Sequence, residues 1–162
     1  MLKFLFVSIF FLFSPKSQDP ITHIGLYNEI LEQGLEFPDI VFAQAILESA
    51  HFKSKVFEEN NNIFGMKVAK KRQTSSIGSR NGFSVYISWQ DSVVDYYYYQ
   101  EMLLNNRKMT REEYFNYLDR NYSESNYYSK KLKDIINRYK KILYLPFGDR
   151  NDGILSNKLV SP

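Results

Sequence analysis

Cysteine is missing from all 162 residues. Its absence excludes disulfides, a thiol nucleophile, thiolate metal sites and a lipid on an N-terminal cysteine. Histidine is almost missing. His23 and His51 are too few and too far apart in sequence for a zinc site. No G-x-S-x-G elbow supports a serine triad. Tryptophan occurs once, at Trp89. Acidic residues are absent from Gly65 through Gln90. Long apolar runs are scarce too. The longest, Phe4 to Phe13 with Ser8 inside it, is too short to span a bilayer comfortably.

What is present fits one globular domain. Apolar content is 44% and charged content 24%, both ordinary for a chain with a buried core. Aromatics are abundant, with 13 Tyr and 13 Phe. Many of these rings must be packed with a hydroxyl left polar. A net charge of +3 favours polyanions, nucleic acid or bacterial wall, without choosing between them. "MLKFLFVSIFFLFSPKSQ" has one lysine, an apolar run and a break at Pro15, which reads as a secretory h-region. Residues 1–17 are therefore expected to be a signal peptide or an N-terminal membrane anchor, with the chain exported to the periplasm, envelope or medium. Residues 18–146 form the domain, and 147–162 a tail without period.

Periodicity then predicts the elements. Asp19-Pro20 reads as an N-cap and first turn, with Ile21, Ile24, Tyr27, Ile30 and Leu31 at helical spacing up to Gly34. A second helix starts near Pro38, and on it Gln44, Glu48 and His51 share one face. Lys53–Glu59 is a short third helix. "MKVA" and "FSVYIS" are expected strands, joined through "KKRQTSSIGSRNG". Helices resume near Asp91, after a Thr110/Glu113 capping box, and from about Asn126 to Pro146. The fold class is mainly α, a helical domain with a small β-hairpin lobe.

Glu48 is the residue with chemical promise. It ends a helix among Ile46, Leu47, Ala50 and Phe52. Apolar surroundings raise a carboxyl's pKa and keep the proton a general acid needs. Asn60–Asn62 follow, a run of amides suited to sugar hydroxyls, and the hairpin offers a second cleft wall.

"FPDIVFAQAILESAHFKSKVFEENNNIFGMK" resembles the signature of the glucosaminidase-type peptidoglycan hydrolases, glycoside hydrolase family 73. In that family an "AQ-x-x-x-ES" helix precedes an "NN-[LI]-FG-[IM]-K" loop. "FSVYISWQDSVVDYYYYQ" is similar to the family's "F-x-x-Y-x-S-x-x-x-S-x-x-D-Y" segment, at Phe83, Tyr86, Ser88, Ser92, Asp95 and Tyr96. "NYSESNYYSKKL" is similar to its "YATDPxYAxKL" run, with Tyr122, Tyr127, Lys131 and Leu132 matched. Together these cover about Phe37 to Leu143. The resemblance implies a lysozyme-like α+β fold that cuts the β-1,4 glycan of bacterial wall beside N-acetylglucosamine. It implies Glu48 as general acid, and Tyr122 or Tyr127 as a tyrosine lining the catalytic centre. Gln44 and Asn61 fall in the binding motifs. Asn62, Phe64 and Gly65 would shape the loop beside the bond, and Tyr86 would hold the hairpin. No metal or cofactor is implied. The expected partner is the glycan strand, met by a monomer that does not bind nucleic acid.

The sequence departs from the two-carboxylate norm of glycosidases. The stretch where some members carry a second acid holds Lys67, Lys70, Lys71, Arg72 and Arg80 instead, which reads as a solvated basic hairpin. Three routes stay open. The substrate's N-acetyl group serves as nucleophile, or Asp91, Asp95 or Glu124 swings in, or Glu48 alone drives a lytic transglycosylase. A non-catalytic wall-binding module is the competing class.

Overall fold

The structure is a computed structural model, and it describes residues 20–105, 107–121 and 127–145. The segments 1–17 and 147–162, Tyr122 and Glu124 lie outside the described residues.

Helix α1 spans His23–Glu32. It starts later than the Asp19-Pro20 signal suggests, because the Thr22 hydroxyl caps it by accepting the Gly25 N–H at 2.9 Å. Helix α2, Pro38–Glu48, has Pro at its first turn and Asp39 beside the helix N-terminus. Every residue from Asp39 to Ile46 is buried. It is the central helix, buried around most of its surface, and it packs on α1 and on the last helix, α6 (Tyr128–Leu143). Helix α3, Lys55–Asn60, is capped by Ser54.

The hairpin differs from expectation. The strands are β1 (Gly78–Arg80) and β2 (Phe83–Val85), antiparallel with Ser79 opposite Ser84. Residues 66–69 are not a strand. Asn81-Gly82, with φ of 51° and 80°, makes the two-residue turn that matches strand twist. That turn draws β1 from the expected loop.

Helix α4 is Trp89–Leu104, opened by a Ser88/Asp91 capping box. Helix α5, Arg111–Asn121, follows the expected box, with Thr110 N–H donating to Glu113 at 2.7 Å. A bidentate Arg111–Asp39 pair ties the start of α5 to the start of α2. Mainly helical, with one two-stranded antiparallel sheet among the described residues, the architecture matches the fold class read from sequence.

Candidate active site

Glu48 is the last residue of α2 and is half-buried. The chain then turns sharply. Ala50, His51 and Phe52 all take the left-handed conformation, at φ of 49°, 57° and 67°. Non-glycine residues rarely adopt it, at a cost of order 1 kcal/mol each. Local bonds hold the turn. His51 N–H donates to the Ile46 carbonyl at 2.9 Å, and Ser54 N–H to the Ser49 carbonyl at 2.8 Å. The Ser49 hydroxyl accepts the Phe52 N–H at 3.0 Å.

Because α2 stops at Glu48, His51 leaves the face it was expected to share with Gln44 and Glu48. Its Nδ1 lies 3.5 Å from the Tyr139 hydroxyl, which is 3.1 Å from His23 Nε2. Burial lowers both histidine pKa values. The neighbouring His51 adds to this at His23, and Arg138 and Lys53 at His51. Both favour the neutral form at pH 7, and the His23 ring packs against Phe52 and Tyr139.

The Tyr128 hydroxyl donates to Glu48 Oε1 at 2.7 Å. Burial pushes the Glu48 carboxyl above its ordinary range, while the Tyr128 hydrogen bond and the Lys131 charge pull it part of the way back. Tyr128 is 5% exposed, whereas Tyr127, one of the two tyrosines the sequence reading named, is 64% exposed at the helix N-cap; the other, Tyr122, lies outside the described residues. The signal for Tyr128 was in the motif. Counting back "Y-A-x-K-L" from Lys131-Leu132 gives Tyr128, one residue beyond Tyr127.

The expected binding residues make mostly internal contacts. Gln44 is fully buried, with its Oε1 accepting the Tyr96 hydroxyl at 2.6 Å and its Nε2 donating to Tyr128 at 3.5 Å. Asn61 caps α3 at φ 52° and donates to the Tyr86 and Ile87 carbonyls. Asn62 donates to the Met66 and Ser84 carbonyls and accepts the Met66 N–H. These amides stitch the loop to β2, and the Asn62 side chain is buried rather than presented as a cleft rim. Phe64 packs on Tyr96, with centroids 4.2 Å apart. Gly65, at φ +63°, provides the left-handed step between them.

Tyr86 is buried and donates to Asp95 Oδ2 at 2.7 Å. Burial and the Asp95 contact push its phenol pKa well up. Asp95 also takes a bidentate fork from Arg72, at 2.8 and 3.0 Å. Burial pushes the Asp95 carboxyl up. Hydrogen bonds from Arg72, Thr74 and Tyr86 outweigh it and leave the group below its usual range. The basic segment is therefore not uniformly solvated, since the Arg72 side chain is only 9% exposed.

These bonds bear on the second acid. Asp95 is locked under Arg72. The Asp91 carboxylate accepts from the Ser88 N–H and hydroxyl. Among the described residues, the charge acting on Glu48 is the cation Lys131. The described residues contain no group of three or more His, Asp or Glu placed to hold a metal ion, and no helix long and apolar enough to cross a membrane.

Comparison with known proteins bears on the family and the fold. The family model described as glucosaminidase, mannosyl-glycoprotein endo-beta-N-acetylglucosaminidase, matches residues 26–141. The protein bax of Escherichia coli K12 is 38% identical over 71 residues, which are 43% of this chain and 26% of that protein. The chain thus spans about a quarter of that relative's length. The catalytic domain of the autolysin Auto from Listeria monocytogenes has a similar fold, with a TM-score of 0.55 at 20% identity, covering 77% of this chain and 88% of that one.

Proposed function

Since this chain belongs to the glucosaminidase family, we propose that it hydrolyses the β-1,4 bond after N-acetylglucosamine in bacterial peptidoglycan, with Glu48 as general acid. One observation carries the reading. A half-buried carboxyl with a raised pKa ends the central helix and is oriented by the buried Tyr128 hydroxyl. Such a group holds its proton to higher pH than a solvated carboxyl does and can deliver it to the leaving oxygen.

The locked state of Asp95 and Asp91 favours the substrate-assisted route. The N-acetyl oxygen attacks the anomeric carbon as the glycosidic bond breaks. Glu48 gives its proton to the departing oxygen. Water then opens the cyclic intermediate, returning a proton to Glu48. The substrate lies outside the cytoplasmic membrane, and the apolar run Phe4–Phe13 is the segment that would direct the chain there.

Mass spectrometry of borohydride-reduced digests tests the bond. Reduced N-acetylglucosamine ends are expected. Reduced N-acetylmuramic acid ends would overturn the bond assignment, and anhydro ends would make the enzyme a lytic transglycosylase.

A further inference from the structure

A chain of buried hydrogen bonds runs from Glu48 across the core, and its direction can be read from its far end. Glu36 sits just before α2. Its N–H donates to Gln100 Oε1 at 2.7 Å, and its carbonyl accepts from Gln100 Nε2 at 3.0 Å. A backbone N–H only donates and a carbonyl only accepts, so the Gln100 amide has one orientation. Its Nε2 also reaches the Tyr114 hydroxyl at 3.2 Å, which must accept. Tyr114 lies 2.9 Å from the Tyr96 hydroxyl. Tyr96 donates onward to Gln44 Oε1 at 2.6 Å, so the proton between the two tyrosines belongs to Tyr114. With Oε1 engaged, Gln44 turns its Nε2 to Tyr128 at 3.5 Å. Tyr128 accepts there and gives its own proton to Glu48 Oε1 at 2.7 Å. Gln44, Tyr96, Tyr114 and Gln100 are each at most 2% exposed, so water has little access to reverse the order.

We propose that this one-way chain, fixed by the Glu36 backbone through Gln100, Tyr114, Tyr96 and Gln44, is a positioning device that keeps the acidic proton of Glu48 on Oε2. The inference rests on Glu48 being the general acid. Oε1 receives a donor from Tyr128, so a proton on Oε1 would meet another proton. The proton therefore stays on the other oxygen, Oε2. If the chain is cut at Tyr96, the Gln44 amide is free to rotate. Its Oε1 then accepts the Tyr128 proton, and Tyr128 offers a lone pair to Glu48. Protonated Glu48 gains a second arrangement with its proton aimed inward, where it cannot reach a glycosidic oxygen.

The kinetic signature is specific. The inward arrangement stabilises protonated Glu48 and removes it from catalysis by the same factor. In Tyr96→Phe, kcat on the acidic plateau falls by about tenfold when the alkaline limb moves up by about one pH unit. The two profiles merge at high pH, and KM is unchanged. Structural damage would instead lower the rate at every pH. In a Tyr128→Phe background the inward acceptor is gone, so Tyr96→Phe adds no further shift.

Carbon-13 NMR titration of the Glu48 carboxyl reads the same shift without substrate. An unmoved midpoint in Tyr96→Phe overturns the chain even if the wall is cut. A raised midpoint in a protein that never cuts wall upholds the chain and sinks the enzyme reading. Should Tyr96→Phe fail to fold, neutron diffraction on wild-type crystals decides. Deuterons are expected from Tyr96 toward Gln44 and from Tyr128 toward Glu48, and the reverse order refutes the proposal.

Discussion

Glu48 gains its character from being the last residue of a helix that is otherwise sealed. The residues of α2 before it are buried from Asp39 to Ile46, and the left-handed turn after it leads the chain away. Burial raises its pKa, so the fold prefers the protonated group. That contribution is complete below the unfolded value and is lost as pH rises through the higher folded value. Gln at position 48 keeps an acceptor for Tyr128 and has no charge to bury. Glu48→Gln should therefore melt higher than wild type at pH 7, with the gain vanishing below about pH 4, as scanning calorimetry would report. Tyr128 and Tyr127 separate equally cleanly. Tyr128→Phe removes the donor on Glu48 and should raise the carboxyl's pKa further and cut kcat about tenfold, the size of one charge-assisted hydrogen bond. Tyr127→Phe changes an exposed side chain and should leave the pH profile in place. Parallel pH–rate curves check both. Sequence reasoning found Glu48 from its apolar neighbours. It missed Tyr128 because two adjacent tyrosines look alike until a helix places one inward and the other outward.

Elements were legible where one local rule decided them. Pro38 and the Thr110/Glu113 box open helices as their chemistry dictates. The Asn81-Gly82 pair forms a hairpin turn, but its reach was misjudged. "MKVA" has strand-like composition, yet the Met66 carbonyl is already bonded to the Asn62 amide and the Ser84 N–H. Such long-range pairing leaves no mark on local propensity. Asp95 belongs to the same class. It was read as a motif position and a candidate second acid, and only the fold shows Arg72 and Tyr86 closing on it. Asp95→Asn leaves the Arg72 guanidinium buried without its counter-charge. A loss of about 3 kcal/mol or more is expected, with faster hydrogen exchange around β1 and β2. Because the folded carboxyl is held below its usual pKa, its contribution is present above about pH 4 and fades as pH falls. Wild-type and variant melting temperatures should therefore converge in acid. Equal stability at pH 7 would remove the lock on Asp95 and return it as a candidate base.

At the scale of the whole molecule, the helices build a rigid back wall and the hairpin lobe is tied to it through Asn60–Asn62 and Asp95. Of the residues expected to touch sugar, Gln44, Asn62, Phe64 and Tyr86 are buried. Motif positions are fixed by the fold's needs as well as by the substrate's, and a sequence alone does not divide the two. Among the described residues, Glu48 meets the Tyr128 hydroxyl and the Lys131 charge. A single acid is sufficient for hydrolysis only if the substrate supplies the nucleophile. The same surface without turnover would be a binding module. Clearance of purified peptidoglycan by wild type and by Glu48→Gln, with co-sedimentation on the same wall, separates these most directly. Wild type should clear the suspension, and Glu48→Gln should bind equally and clear nothing. A wild type that binds several purified walls without clearing any, or a Glu48→Gln variant that clears at the wild-type rate, would contradict Glu48 as the general acid.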